Sequence, residues 1–553
     1  MALGLKQESY HTYRQGNIVW LKVFIERLSL LVIAFFVYAS APAQDYGDAY
    51  VSGSIADART LIPILASDSA SSEICSMIFN GLVKYDKDVS LVGDLAQSWE
   101  IQNEGLTIIF HLRKNVSWHD GRPFTARDVE FTYMKLIDPG IKTPYSGDFE
   151  RVQSFTVIDD YTIKVTYKEP FAPGLSSWGM PIMPRHILEN QDFSNTPFSR
   201  HPVGTGPYCI KSWKSQEKIE LVSYREYFEK RPYIDRYISR VIPDEATTFL
   251  ELQTQGIDSS SLTPLQYLRQ TDTPFFRKHY RKFNLPNFSY IYLGYNLSNP
   301  KFSDKRVRQA LNYAVNKKEV IDMVLLGLGR PLTGPFIPGS WAYNPLVIED
   351  SFDQKKAREL LKDAGWVDNN ADGWLEKEGK IFEFTIITNQ GNLERIKVAE
   401  IIQRQLESVG VKVKIKVVEW SVFLTEFINK KNFESVLLGW SLSRDPDNFD
   451  IFHSSKTREG EFNFVGYRNP QVDDLLVEAR RVFDQEKRKV YYHKIHQLIY
   501  DDQPYMFLYA PDNLTILQAR FKGIKPAPLG IGYNFIDWWV EKKEQRYNRI
   551  SSQ

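Results

Sequence analysis

Between residues 382 and 440 the hydrophobic period switches repeatedly between two and about 3.6, and each switch narrows the possible folds. Residues 382–388 read as a strand, and residues 393–408 put Ile396, Ala399 and Ile402 on one helical face before Gly410. Val411, Val413, Ile415 and Val417 then alternate with Lys412, Lys414 and Lys416, a strand with one charged face. Trp420 opens another helix, and residues 435–440 return as an apolar strand. Helices that cross between strands exclude a simple antiparallel meander, because parallel neighbours need long connections. This stretch predicts a mixed or parallel sheet flanked by helices, and so an α/β class.

Other segments add detail. Residues 95–132, LAQSWEIQNEGLTIIFHLRKNVSWHDGRPFTARDVEFT, read as two strands joined by Asn103-Glu104-Gly105, a second turn at His119-Asp120-Gly121, and a helix opened by Thr125 with Asp128 three residues on. Residues 50–55 read as a strand and residues 71–79 as a helix. Val307, Ala310, Leu311, Ala314 and Val315 share one face of a helix for which Ser303 is the predicted N-cap. A further helix runs from Asp353 to Gly365; residues 471–500 read as one long helix and 505–509 as a short late strand.

At 553 residues and 43% hydrophobic, the chain is long enough for two or more domains. Its 69 basic and 68 acidic residues leave net +1, which gives no electrostatic case for nucleic acid. Lys22 and Arg27 precede an apolar run at 28–37 and then Ala41-Pro42-Ala43, the order of a secretory signal with cleavage after Ala43. Residues 1–43 are therefore expected to be a signal peptide; the apolar run is short of the ~20 residues of a membrane span. Two cysteines are too few for a zinc cage, but in an oxidising compartment Cys75 and Cys209 are candidates for one disulfide.

Few motifs point to chemistry. Gly204-Thr205-Gly206 is followed by Pro207 and a strand, where a phosphate loop would need a helix N-terminus. Asp368 to Gly373 resembles half of a calcium loop, but its twelfth position is Gly379. His493 and His496 stand three apart with no third ligand in sight, and no nucleophile adjoins a recognisable base. No catalytic residue, cofactor or metal is expected. Residues 439–449 differ: Trp440, polar groups and Asp445-Pro446 form a turn at the carboxyl end of a strand, where open α/β sheets bind ligands.

The segment 95–132 resembles the N-terminal hallmark of bacterial extracellular solute-binding proteins of family 5, the oligopeptide and dipeptide receptors of ABC importers. PVGTGPY (202–208), KFSDKRVRQALNYAVNKKEVI (301–321), AGW…DGWLEKEGK (364–380), VGVKV…EW (409–420) and GW…DPDNF (439–449) extend the likeness in order. The resemblance implies a two-lobed periplasmic-binding-protein fold of type II. Lobe I would comprise residues 45–292, with an extra strand-rich subdomain at about 81–203, and a return at 513–553; lobe II would comprise 293–512. It also implies a monomeric periplasmic receptor that catalyses nothing and hands its solute to a permease in the inner membrane. Ligand contacts are expected from Trp440, Ser443, Arg444, Asp445, Asn389, Trp420, Tyr295, Asn296 and Ser54. The family's peptide receptors carry an Asp three residues after the Trp matching Trp440, where this chain has Ser443; its dipeptide receptors carry an Arg where this chain has Asn389. A dipeptide is thereby disfavoured. The solute is expected to be an oligopeptide or peptide-like molecule, with an oligosaccharide or metal chelate, or a secreted hydrolase, as alternatives.

Overall fold

A computed structural model describes residues 44–547; the expected signal peptide lies outside them. Two mixed sheets share one long strand, Tyr505–Gln518. Its first part, together with Ser289–Tyr295, Ser435–Ser441, Glu383–Asn389 and Lys412–Val418, builds the sheet of lobe II. Its later part pairs with Ser259–Ser261 and Tyr280–Pro286; Ala49–Ser54, Arg236–Val241, Lys218–Ser223 and Tyr208–Lys214 complete the sheet of lobe I. Pairing changes lobes between Pro286 and Ser289 on one crossing and between Pro511 and Asp512 on the other.

The α/β unit predicted at 382–440 forms with parallel pairing of Glu383–Asn389 to both neighbours. Lys412–Val418 lies at the sheet edge, where Lys414 and Lys416 reach solvent and Glu383 holds Lys412 and Lys414 at 3.2 and 2.6 Å. In the strand-rich subdomain, Ala96–Gln102, Thr107–Leu112, Thr162–Tyr167 and Val152–Asp159 form an antiparallel sheet. Its hairpin places Asn103, Glu104 and Gly105 at φ of 52°, 56° and 95°, so Gly105 is one of three residues in the left-handed region. The helix Ala126–Leu136 is capped as its sequence predicts, the Thr125 amide donating to Asp128 at 2.9 Å. Trp118, Phe110, Phe124 and Trp178 are fully or almost fully buried beneath these elements.

Four expectations need correction. Asp304, not Ser303, caps the helix Lys305–Tyr313 by accepting from the Arg306 amide at 2.9 Å. Residues 471–500 form two helices, Pro470–Arg481 and Gln485–Asp502, because Asp484 accepts from the Lys487 amide and starts a new one. The late strand continues well past Tyr509: Gly329–Pro331 pairs along one side, and on the other Pro511, which has no amide hydrogen to donate, falls in the gap between the pairings that end at Tyr509 and begin at Asp512. Cys75 and Cys209 are free thiols: Cys75 is buried in the core of lobe I, and Cys209 pairs with Val222 in the sheet.

Gly204 and Gly206 fasten a strand entrance rather than a phosphate. The Gly206 amide donates to the Ile78 carbonyl at 2.8 Å, and a Cβ on Gly204 would run into that same oxygen. His119 clamps the turn: its Nδ1 accepts from the Gly204 amide at 3.2 Å, and its Nε2 donates to the Gly206 carbonyl at 3.0 Å. Burial pushes this imidazole down to about 4. A His with a lowered folded pKa stabilises above its unfolded value near 6.5, and that stability is lost as pH falls toward the folded one. Gly204→Ala should therefore cost more than about 2 kcal/mol in urea unfolding; an unchanged midpoint would contradict the close approach. Between about pH 7 and pH 4.5 the wild type should lose roughly 2 kcal/mol more than His119→Gln. Equal losses would mean that the ring is not held neutral.

Candidate functional site

A cavity of about 550 Å³ opens between the lobes, directly over the two crossing segments. Lobe I contributes Gly53, Ser54, Ser69, Glu73 and Glu245; lobe II contributes Leu325 and Glu394; Asn287, Pro511 and Asp512 come from the crossings. The lining includes four carboxylates, so the space is electronegative. Burial raises the Glu394 pKa, and Glu245 of the opposite lobe adds to the effect while Lys397 opposes it. Ser54 sits here because the strand Ala49–Ser54 ends at the cavity, and its hydroxyl donates to the Ala56 carbonyl at 2.8 Å.

A second cavity of about 240 Å³ lies in lobe II under the 439–449 turn. Trp440, Ser443, Arg444 and Asp445 line it, joined by Phe288, Phe336, Trp341 and Asn448. Trp440 is held from below by a stack of rings, parallel to Tyr292, which in turn stacks on Tyr505 at 4.1 Å. The turn keeps its shape through two buried ion pairs. Asp445 accepts from Arg488 at 2.6 and 2.9 Å, and Asp447 accepts from Arg480 at 2.6 and 2.9 Å. Burial disfavours the Arg488 charge, but Asp445, with help from Tyr492 and Asp447, outweighs it and raises the Arg488 pKa. Asp445 is thus committed within the protein, although it lines the cavity.

Across the cleft, a lobe I cavity of about 470 Å³ is lined by Asn80, Tyr85, Asp94 and Tyr533, among others. Burial pushes the Tyr85 phenol up to about 12, with Asp445 of lobe II adding to the rise. The lobes also touch directly: the Ala172 amide donates to the Arg480 carbonyl at 2.6 Å, and Glu169 lies 3.8 Å from Arg481.

Four expected contacts lie elsewhere. Tyr295 is fully buried against Phe302, paired with Ser435 at the far end of the strand whose near end pairs with Trp440, about 17 Å away along the strand. The Asn296 side chain donates to the Lys431 and Phe433 carbonyls at 3.2 and 2.9 Å, closing a loop. Asn389 accepts from Arg395 at 2.8 Å, and Trp420 is a surface ring stacked on Phe423; neither lines the three cavities. Other motifs find structural partners. His496 is buried, bonded to the Thr333 hydroxyl and the Asn344 amide at 3.0 and 3.1 Å, and Asp368 closes its turn by accepting from the Gly373 amide at 3.0 Å. Tyr85, Arg480 and Arg488 escaped sequence reasoning, and Asn448 was read only as part of its turn; an arginine on an amphipathic helix carries no mark of the aspartate it will meet.

Removing one partner of a buried pair leaves an uncompensated charge. Arg488→Met should destabilise the protein by about 3 kcal/mol in chemical unfolding, and Asp445→Asn in the same background should recover part of that loss. Additive losses would show that the two side chains do not act as a pair.

The family model for bacterial extracellular solute-binding proteins, family 5 Middle, matches residues 90–461. The oligopeptide-binding protein AppA of Bacillus subtilis is 35% identical over 542 residues, covering 93% of this chain and 98% of that protein. The dipeptide-binding protein of Escherichia coli is 27% identical over 536 residues, 91% of this chain and 96% of that one. Among solved structures, AppA from Bacillus subtilis in complex with a nonapeptide matches with a TM-score of 0.73 at 34% identity, covering 90% of this chain and all of that one. NikZ from Campylobacter jejuni in complex with Ni(L-His) matches with a TM-score of 0.72 at 29% identity and the same coverage.

Proposed function

Since the chain belongs to the bacterial extracellular solute-binding proteins of family 5, we propose that it captures an oligopeptide or peptide-like solute between its lobes for an ABC permease in the inner membrane. The observation that carries this reading is the 550 Å³ cavity, walled by both lobes and floored by the segments that connect them. A solute there touches both lobes at once, and so favours the closed arrangement over the open one. The similarity to AppA along nearly the whole chain supports a peptide as the guest. On this reading the lobes divide where strand pairing changes partners, at 287–288 and between Pro511 and Asp512. The protein acts as a periplasmic monomer after removal of residues 1–43, and it releases its solute chemically unchanged.

Bound solute stabilises only the folded receptor, by RT ln(1 + [L]/Kd). Native mass spectrometry of the purified protein should reveal co-purifying peptides, and adding them back to stripped protein should raise its melting temperature and return them intact. Cleaved fragments would indicate a hydrolase, and no stabilisation by any peptide would reject the receptor. Trp440→Ala should weaken peptide binding by more than about 1 kcal/mol in calorimetry, as loss of a pocket aromatic does; a neutral effect would place the guest away from lobe II's turn.

A further inference from the structure

The charges around the 240 Å³ cavity do not balance. Its three carboxylates are each matched within the protein: Asp445 by Arg488, Asp447 by Arg480, and Asp450 by Lys456 at 3.0 Å. Arg444 lines the same cavity, yet no carboxylate among the described residues lies within ion-pair distance of it. Its guanidinium lies over the Phe288 ring, 3.5 Å from the centroid, and one terminal nitrogen, Nη1, is buried with no hydrogen-bond partner. Tyr85 of the opposite lobe approaches it, but that phenol is held neutral by burial and supplies no countercharge.

The neighbouring groups are similarly unspent. Ser340 Oγ is buried without a partner. Asn448 is only 4% exposed, lines the cavity, and its side chain makes no hydrogen bond to any described residue. Buried polar groups are normally paired, and a desolvated cation without a partner is unfavourable. Here a guanidinium, a hydroxyl and an amide, all able to donate, stand unpaired around one space. A carboxylate fits this set, because its two oxygens accept from a planar guanidinium and retain lone pairs for further donors. The 550 Å³ cavity between the lobes carries Glu73, Glu245, Glu394 and Asp512 and would repel the same group.

We propose that Arg444, with Ser340 and Asn448, forms an anion subsite that seats a carboxylate of the bound peptide-like solute. The assignment rests on the receptor reading above and narrows its ligand class. The carboxylate can be the chain terminus of a peptide or an acidic side chain, and the test separates the two.

Three randomised pentapeptide libraries serve as probes, with Asp and Glu omitted: one with free C-termini, one amidated, and one amidated with a single Glu placed at each position in turn. Binding to the full mature protein is read by native mass spectrometry in competition. At least tenfold preference for free C-termini over amides assigns the terminus, and the same preference for Glu-bearing over plain amides assigns a side chain. Either preference should fall below twofold in Arg444→Gln and survive in part in Arg444→Lys, with both variants checked for a wild-type melting transition. Equal binding of charged and uncharged libraries to the wild type would overturn the subsite while leaving the receptor intact, and needs no variant. A preference unchanged in Arg444→Gln would also overturn it. Binding of no library would overturn the receptor reading and the subsite together.

Discussion

Everything else in this structure depends on one strand that belongs to two sheets. Tyr505–Gln518 runs 14 residues, long enough at 3.4 Å per residue to cross about 45 Å, and is hydrogen-bonded to lobe II at its start and lobe I at its end. Its companion crossing, from Tyr280–Pro286 to Ser289–Tyr295, pairs with it on both sides of the same boundary. The chain crosses between the lobes at 287–288 and at 511–512, so the lobes cannot slide apart without breaking sheet. A cavity directly over this boundary changes shape with every degree of rotation, and its occupant is coupled to the hinge.

A second constraint ties the cavity-lining turn at 439–449 to the meeting point of the lobes. Arg480 holds Asp447 through its side chain, stacks over Phe449 at 3.8 Å, and offers its carbonyl to the Ala172 amide of lobe I. One residue thus shapes the floor of the smaller cavity and contacts the opposing lobe. Lobe I holds a comparable buried ion-pair cluster. Arg520, from the returning chain, is buried against Asp48 and Asp258, and Asp258 also accepts from the Val51 amide at 2.8 Å. Burial pushes Asp258 up to about 6 even though Arg520 opposes it.

Much of the fold was legible because it is written in local periods. The alternation at 411–417, the capping pair Thr125 and Asp128, and the glycine at 105 each specify their element within a few residues. The late strand reads as ending at Tyr509 because its apolar run stops there; its continuation depends on distant partners, Pro511 falling where pairing to one neighbour ends at Tyr509 and pairing to the next begins at Asp512. The turn at 439–449 was legible because it lies at a strand end, and Trp440, Ser443, Arg444 and Asp445 line a cavity there. Tyr295 and Asn296 misled because they occupy the opposite end of their strand, a matter of direction that alternation does not encode. The pairing of Asp445 and Asp447 with Arg488 and Arg480 joins residues more than thirty positions apart in sequence.

The central claim is that two rigid lobes close about the shared strand upon a guest. Small-angle X-ray scattering of stripped protein, titrated with the peptide recovered from the native protein, tests it most directly. The account predicts a smaller radius of gyration at saturation and a return to the larger value when the peptide is removed. An identical scattering profile with and without peptide, at concentrations where calorimetry registers full binding, would contradict it.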